Sequence, residues 1–207
     1  MPTEPRLEIR NEGKGLAVVT AADLLALGPR EYRADFHCVT TWSVTGLVWT
    51  GVPLRDVFAS VGITAAPAPY LVARAGDRRK AGFMWGDAVA DDVILATHLD
   101  GAPLDERHGA PLRLVSPSQY GYKSVKHLVA LDFRAEEPVL MSKEHLRARV
   151  AFEERHPRLP SWLVKLPYRL MIPPTAYVAE RALRRHRRSD PSPGSLRAAC
   201  CEVTSRR

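Results

Sequence analysis

The chain predicts a mixed α+β fold, rich in strands and with short helices, on three observations. Runs dense in β-branched and aromatic residues recur at 32–49, 70–76, 92–99, 111–117 and 125–133. Helical spacing of apolar residues is confined to short stretches before Gly62 and to the segment beyond Met141. Strands and helices also fail to alternate at the regular interval of a doubly wound sheet, which argues against a dinucleotide-binding arrangement.

Taken in order, Leu7 to Arg10 is a short extended lead-in. In VVTAADLLAL (18–27), Thr20 is placed to cap a short helix, with Asp23 at the capping-box position and Leu24, Leu25 and Leu27 as the apolar face. In GVPLRDVFASVG (51–62), Pro53 suits a first turn and Gly62 a terminus. Leu54, Val57, Phe58 and Val61 recur three or four apart, so this helix packs on a core. Between the two, YRADFHCVTTWSVTGLVW reads as a strand leading into a loop or bulge at Gly46, with Cys38 where the strand ends. The later strands are separated by polar or glycine-bearing loops, GDRRKAG (76–82), DGAPLDERHGA (100–110) and SQYGYKS (118–124).

The composition, 45% hydrophobic and 26% charged over 207 residues, suits one principal domain burying about two-thirds of its unfolded surface. We divide the chain into that domain at 1–140, a helical extension packed on it at 141–188, and a disordered basic tail at 189–207. The net charge of +7 belongs to the end of the chain. Residues 181–207 hold eight arginines against Asp190 and Glu202, leaving about +1 for the rest, so no nucleic-acid partner is expected for the folded part. Cys38, Cys200 and Cys201 offer neither a disulfide framework nor a CxxC zinc pair. With no apolar leader or membrane-length apolar run, a cytoplasmic placement is expected.

Two segments carry the chemistry. FHCVTTWSVTGLVWTGVPLRDVF surrounds Cys38, and HGAPLRLVSPSQYGYKSVKHLVALDF starts at His108. The second reads as an anion receptor. Arg113 offers a planar fork, Lys126 a point charge, and the glycine and serine of YGYKSVK let backbone N–H groups approach an anion. A lone cysteine is ordinarily a small buried apolar residue, but its setting here, CVxxWS then WxGVPLxD and later GxPLRLVxPxxYGxKSxKxL, is a paired motif. Over residues 15–135 the chain resembles the molybdopterin-binding domain of the sulfite oxidase family. That resemblance implies a sulfite-oxidase-like fold of mixed sheets, a molybdenum–molybdopterin cofactor, and Cys38 as metal ligand and catalytic residue. It implies cofactor contacts at Arg113, Ser124, Val125 and Lys126, with His108 and Lys123 beside further ones.

A soft thiolate suits a sulfur-rich molybdenum centre, and one suffices where the pterin dithiolene supplies the other sulfurs. His37 faces away from Cys38 if the strand runs regularly, and is either a pterin hydrogen-bond partner or an ordinary satisfied histidine. Trp42 and Trp49 read as walls that keep the metal's surroundings dry. Two departures bear on the substrate. The arginine-rich stretch that follows the cysteine in sulfite oxidases is VTTWS here, which argues against sulfite. An aspartate-glycine-tyrosine element of many relatives is replaced by RAGDRRKAGF, bringing Arg74, Arg78 or Arg79 toward the site instead.

The activity implied is oxygen-atom transfer to or from a small sulfite-like, S-oxide or N-oxide substrate, with electrons exchanged through a separate electron-transfer partner. The alternative is a module that binds or carries the pterin without turnover. WLVKLPYRLMI (162–172) and AYVAERALRRHRR (176–188) read either as a cover over the domain or as a peripheral contact with an anionic membrane or membrane-held subunit.

Overall fold

Buried and exposed residues alternate along the first strand, and its inward residues Leu7 and Ile9 are fully buried. This strand, β1 (Arg6–Asn11), opens a computed structural model that describes residues 4–38 and 43–138. β2 (Lys14–Thr20) returns antiparallel to it and leads into α1 (Ala21–Ala26). β3 (Arg30–His37) and β4 (Ser43–Pro53) pair antiparallel and run into α2 (Leu54–Ser60). β5 (Tyr70–Ala75), β6 (Lys80–Met84), α3 (Trp85–Ala88) and β7 (Ile94–Leu99) follow. Then come β8 (Ala102–Pro103), β9 (Arg113–Val115), a 3-10 turn η1 (Gly121–Lys123) and β10 (Leu128–Arg134).

Two sheets result, one ordered β2-β1-β10-β5-β6, the other β3-β4-β7-β8 with β9 also on β7. The pairing of β1 with β10 is parallel, and it joins the first strand to the last. The larger core lies on the first sheet, where Leu7, Ile9, Leu71, Leu131 and Phe133 meet Leu54, Val57 and Phe58 of α2. Phe58, Trp85 and Phe133 pack with ring centroids 5.2–5.6 Å apart, at tilted angles that favour contact of ring edges with ring faces. A smaller core of Trp49, Ile94, Ala96, Leu104 and Val115 belongs to the second sheet.

The α+β expectation and both short helices hold. Thr20 caps α1 in a full capping box with Asp23, and Leu54, Val57 and Phe58 are the buried face of α2. The expected apolar face of α1 narrows, because a helix under two turns long presents only Leu24 fully to the core and leaves Leu25 71% exposed. The reading of 32–49 as one strand and a loop becomes a hairpin. A bulge sits where expected, since the register slips between Ala34 and Phe36 opposite Gly46, whose N–H donates to Asp35 Oδ1 at 2.9 Å. Three strands were not anticipated, the two-residue β8 inside the loop read at 100–110 among them. β2 was hidden in the helix lead-in, and β6 in a loop reading, because Asp77, Arg78 and Arg79 mask a tight turn before a short edge strand. The extension at 141–188, the tail at 189–207 and Trp42 lie outside the described residues.

Asp132 on β10 joins these elements. Its buried carboxylate accepts from the Gly13 N–H at 3.0 Å, Arg74 at 3.0 Å and Arg134 at 2.6 Å. Burial works to raise this carboxyl, but those three donors together hold it below the ordinary carboxylate range. The associated stability is therefore present above the unfolded value and lost as pH falls through the folded one. Asp132→Ala should lower unfolding free energy by about 3 kcal/mol at neutral pH in urea titrations, and its deficit should shrink below about pH 4.

Candidate cofactor-binding site

The anion receptor read from the sequence is built by three loops that meet beside β9 and η1. Asp105 organises the first. Its carbonyl accepts from the N–H groups of His108, Gly109 and Ala110 at 2.9–3.1 Å, and its Oδ1 accepts from the His108 N–H at 2.7 Å and lies 2.6 Å from His108 Nδ1. Burial raises the Asp105 carboxyl, and that N–H, the His108 ring and Arg107 more than offset it, leaving the group lowered. The turn so formed aims the His108 carbonyl at Arg113, whose Nη1 donates to it at 3.1 Å.

Arg113 is 5% exposed, yet no carboxylate among the described residues pairs with it, and its Nε has no acceptor. Its guanidinium lies 5.2 Å from the Phe36 ring centroid and 5.0 Å from that of Trp49. Burial pushes it down to about 10. Two ring faces stabilise a guanidinium by about 1–2 kcal/mol each, well short of the several kcal/mol that desolvation costs. Among the described residues, that leaves the guanidinium's charge uncompensated.

Lys126 supplies the second cation. Its Nζ donates to the Arg107 carbonyl, and burial, then Arg113, then Arg79, lower its pKa, opposed by Asp105 and Asp77. Gly109, at φ +104°, permits the close approach, since a Cβ there would stand 2.8 Å from Lys126 Cβ. The N–H groups of Val125 and Lys126 donate to no described acceptor, while the Val125 carbonyl accepts from Leu114 at 2.9 Å. The Ser124 hydroxyl accepts from the Ser116 N–H at 3.1 Å and so fixes this loop against β9. The β5–β6 turn closes the pocket's third side through the Gly76 N–H, which donates to the His127 carbonyl at 2.9 Å.

The remaining candidates divide. Lys123 runs inward, where Nζ donates to the Gly82 carbonyl and lies over the rings of Phe83 and Tyr122. His37 Nδ1 lies 2.8 Å from Ser43 Oγ across the hairpin. Cys38, partly buried, follows directly on β3. It stands two residues beyond Phe36, which limits their Cα separation to about 7 Å, so the thiol and the Arg113 pocket belong to one region. Of the three arginines expected to approach, Arg74 pairs with Asp132, Arg78 occupies the turn at φ +72°, and Arg79 is the one Lys126 feels. The sequence reading missed Phe36 and Asp105. Strand parity with Cys38 gives Phe36 its side of β3 but not its partners, Arg113 and Gly121, which are distant in sequence.

Among the described residues no three His, Cys, Asp or Glu side chains gather to hold a metal. One thiol near an uncompensated cationic pocket fits a group carrying its own soft ligands at one end and phosphate at the other.

Residues 2–141 match the family described as the oxidoreductase molybdopterin binding domain, and the chain belongs to it. Its cofactor is accordingly the molybdenum–molybdopterin group. The oxidoreductase YuiH of Bacillus subtilis (strain 168) is 35% identical over 114 residues, covering 55% of this chain and 57% of that protein. The protein-methionine-sulfoxide reductase catalytic subunit MsrP of Xanthomonas axonopodis pv. citri (strain 306) is 33% identical over 128 residues, covering 55% and 39%. The crystal structure of the sulfane dehydrogenase SoxCD from Paracoccus pantotrophus matches with a TM-score of 0.53 at 27% identity, over 63% of this chain and 38% of that one. The fold is therefore the sulfite-oxidase-like one. The chain spans 57% and 39% of the lengths of the two relatives named.

An anion requires Arg113 charged. Inorganic phosphate binding to cofactor-free protein, followed by calorimetry, should weaken as pH rises through about 10, where free Arg113 loses its charge, and the likewise lowered Lys126 adds to the loss. Arg113→Met should weaken it by about tenfold or more already at neutral pH.

Proposed function

We propose that the chain is the molybdenum-cofactor domain of an oxidoreductase that removes the oxygen atom from a small S-oxide. The observation that carries the cofactor half of this reading is Arg113, buried without a carboxylate partner among the described residues and joined through Phe36 to β3, which leads directly into Cys38. Arg113, Lys126 and the Val125 and Lys126 N–H groups would hold the phosphate, and Cys38 would ligate the metal as thiolate. The Asp105 turn orients Arg113 through the His108 carbonyl, and Phe36 and Trp49 shield that guanidinium from water.

When bound, the cofactor supplies two-electron oxygen-atom exchange. The balance is one S-oxide, two electrons and two protons giving one sulfide and one water, with the electrons delivered by a separate electron-transfer partner. Two features support an S-oxide over sulfite. No arginine or lysine occurs among the four residues after Cys38, so that stretch brings no positive charge for an oxyanion. The MsrP relatives are named as methionine-sulfoxide reductases.

Protein made in a host that synthesises the cofactor should carry near-stoichiometric molybdenum and pterin and reduce methionine sulfoxide with an artificial electron donor. Cys38→Ser should keep the pterin and lose activity by about a thousandfold or more, as removal of a required group does. Wild-type protein without pterin would overturn the reading. Pterin and molybdenum without turnover of any S-oxide would favour the carrier module.

A further inference from the structure

We infer that Phe36 is a positioning residue that sets the Cys38 sulfur from the phosphate pocket, so that the two ends of the cofactor site are aligned by one ring. This rests on the cofactor reading above and adds a role for a side chain that touches neither metal nor phosphate.

Three contacts carry it. One face of Phe36 meets the Arg113 guanidinium, 5.2 Å from its centroid. The ring also lies on the backbone of η1, where a Cβ on Gly121 would fall 2.2 Å from two of its carbons. No side chain fits between ring and turn, and η1 leads directly into Ser124, Val125 and Lys126. The third contact is with the strand itself. Thr45 and Gly46 of β4 bulge opposite Asp35, with the Gly46 N–H on Asp35 Oδ1, and β3 resumes its pairing at Phe36, across from Val44.

Beyond the bulge the pairing of Phe36 with Val44 and of His37 with Ser43, where His37 Nδ1 lies 2.8 Å from Ser43 Oγ, ties this strand end to β4, and the Phe36 ring ties it to the pocket. Phe36 is the packed point, one residue beyond the bulge's centre and two before Cys38. The strand end cannot swing without pulling the ring off Gly121 and Arg113. Loss of the ring should therefore free the thiol by more than it weakens phosphate binding, because Arg113 keeps the Trp49 ring and the His108 carbonyl.

The experiment uses the full chain, cofactor-free and loaded, in wild type, Phe36→Ala and Phe36→Tyr. In cofactor-free protein, Cys38 alkylation by iodoacetamide is timed by mass spectrometry of its own peptide, which separates it from Cys200 and Cys201. Phe36→Ala should speed this about thirtyfold while inorganic phosphate binding, which loses one of the two ring faces on Arg113, weakens by about five- to tenfold, and Phe36→Tyr should restore the wild-type rate. In loaded protein, Phe36→Ala should retain pterin and alter the Mo(V) electron paramagnetic resonance signal. An unchanged alkylation rate in folded Phe36→Ala would overturn the inference. So would equal loss of thiol protection and phosphate binding, which marks a general packing defect. If Phe36→Ala does not fold, Phe36→Leu, which keeps bulk but not a flat face, takes its place under the same criteria. Wild-type protein lacking pterin would count against the cofactor reading, whereas the alkylation and phosphate measurements judge Phe36 independently of it.

Discussion

A positive charge placed between two aromatic rings, with no acid among the described residues to answer it, is the constraint around which this site is arranged. Arg113 sits on a three-residue strand of the second sheet, and what surrounds it is chosen to tolerate a cation without neutralising it. A carboxylate there would make a more stable protein and a useless pocket, because an anionic ligand would have to displace it. The rings and the His108 carbonyl offer partial compensation and leave the remaining attraction for a ligand. Lys126 follows the same logic at lower cost, since it is less buried and the acids near it, Asp105 and Asp77, act from a distance.

Both sheets contribute to that arrangement. The second positions Arg113, Phe36 and Trp49, while the first begins its last strand just after Lys126 and sends the β5–β6 turn against His127. Asp132, with Arg74 and Arg134, serves a different purpose. It is a compensated charge inside the scaffold, and its pairing keeps Arg74 away from the pocket. The contrast between Asp132 and Arg113 separates polar groups that hold the fold from polar groups that await a partner.

Much of this was legible in the residues. Thr20 with Asp23, and the spacing of Leu54, Val57 and Phe58, specify their helices locally, and local rules suffice for elements whose partners are near in sequence. β2 and β6 were illegible for the opposite reason. Each is an edge strand specified by a neighbour, β1 or β5, and its own residues include glycine, lysine and alanine that disfavour strands in isolation. In the site, Cys38, Arg113 and Lys126 declared themselves by residue type and motif. Phe36 did not, because a phenylalanine announces only burial, and its partners Gly121 and Arg113 lie more than seventy residues away. Lys123 shows the converse, a cation in a cationic motif whose ammonium is directed to a main-chain oxygen of β6.

The parallel seam between β1 and β10 has a consequence for how the molecule comes into being. Leu131 and Phe133 must wait beside an unfinished sheet until more than a hundred intervening residues have been brought into place, so closure is a late, long-range event. His108 through Lys126 emerge from the ribosome before that seam exists, and their loops are anchored through His127 and Leu128 to the strand that completes it. The charged cradle and the strand that completes the scaffold are thus one continuous stretch of chain, and the loops on either side of the anion site share main-chain hydrogen bonds with the residues that enter the seam.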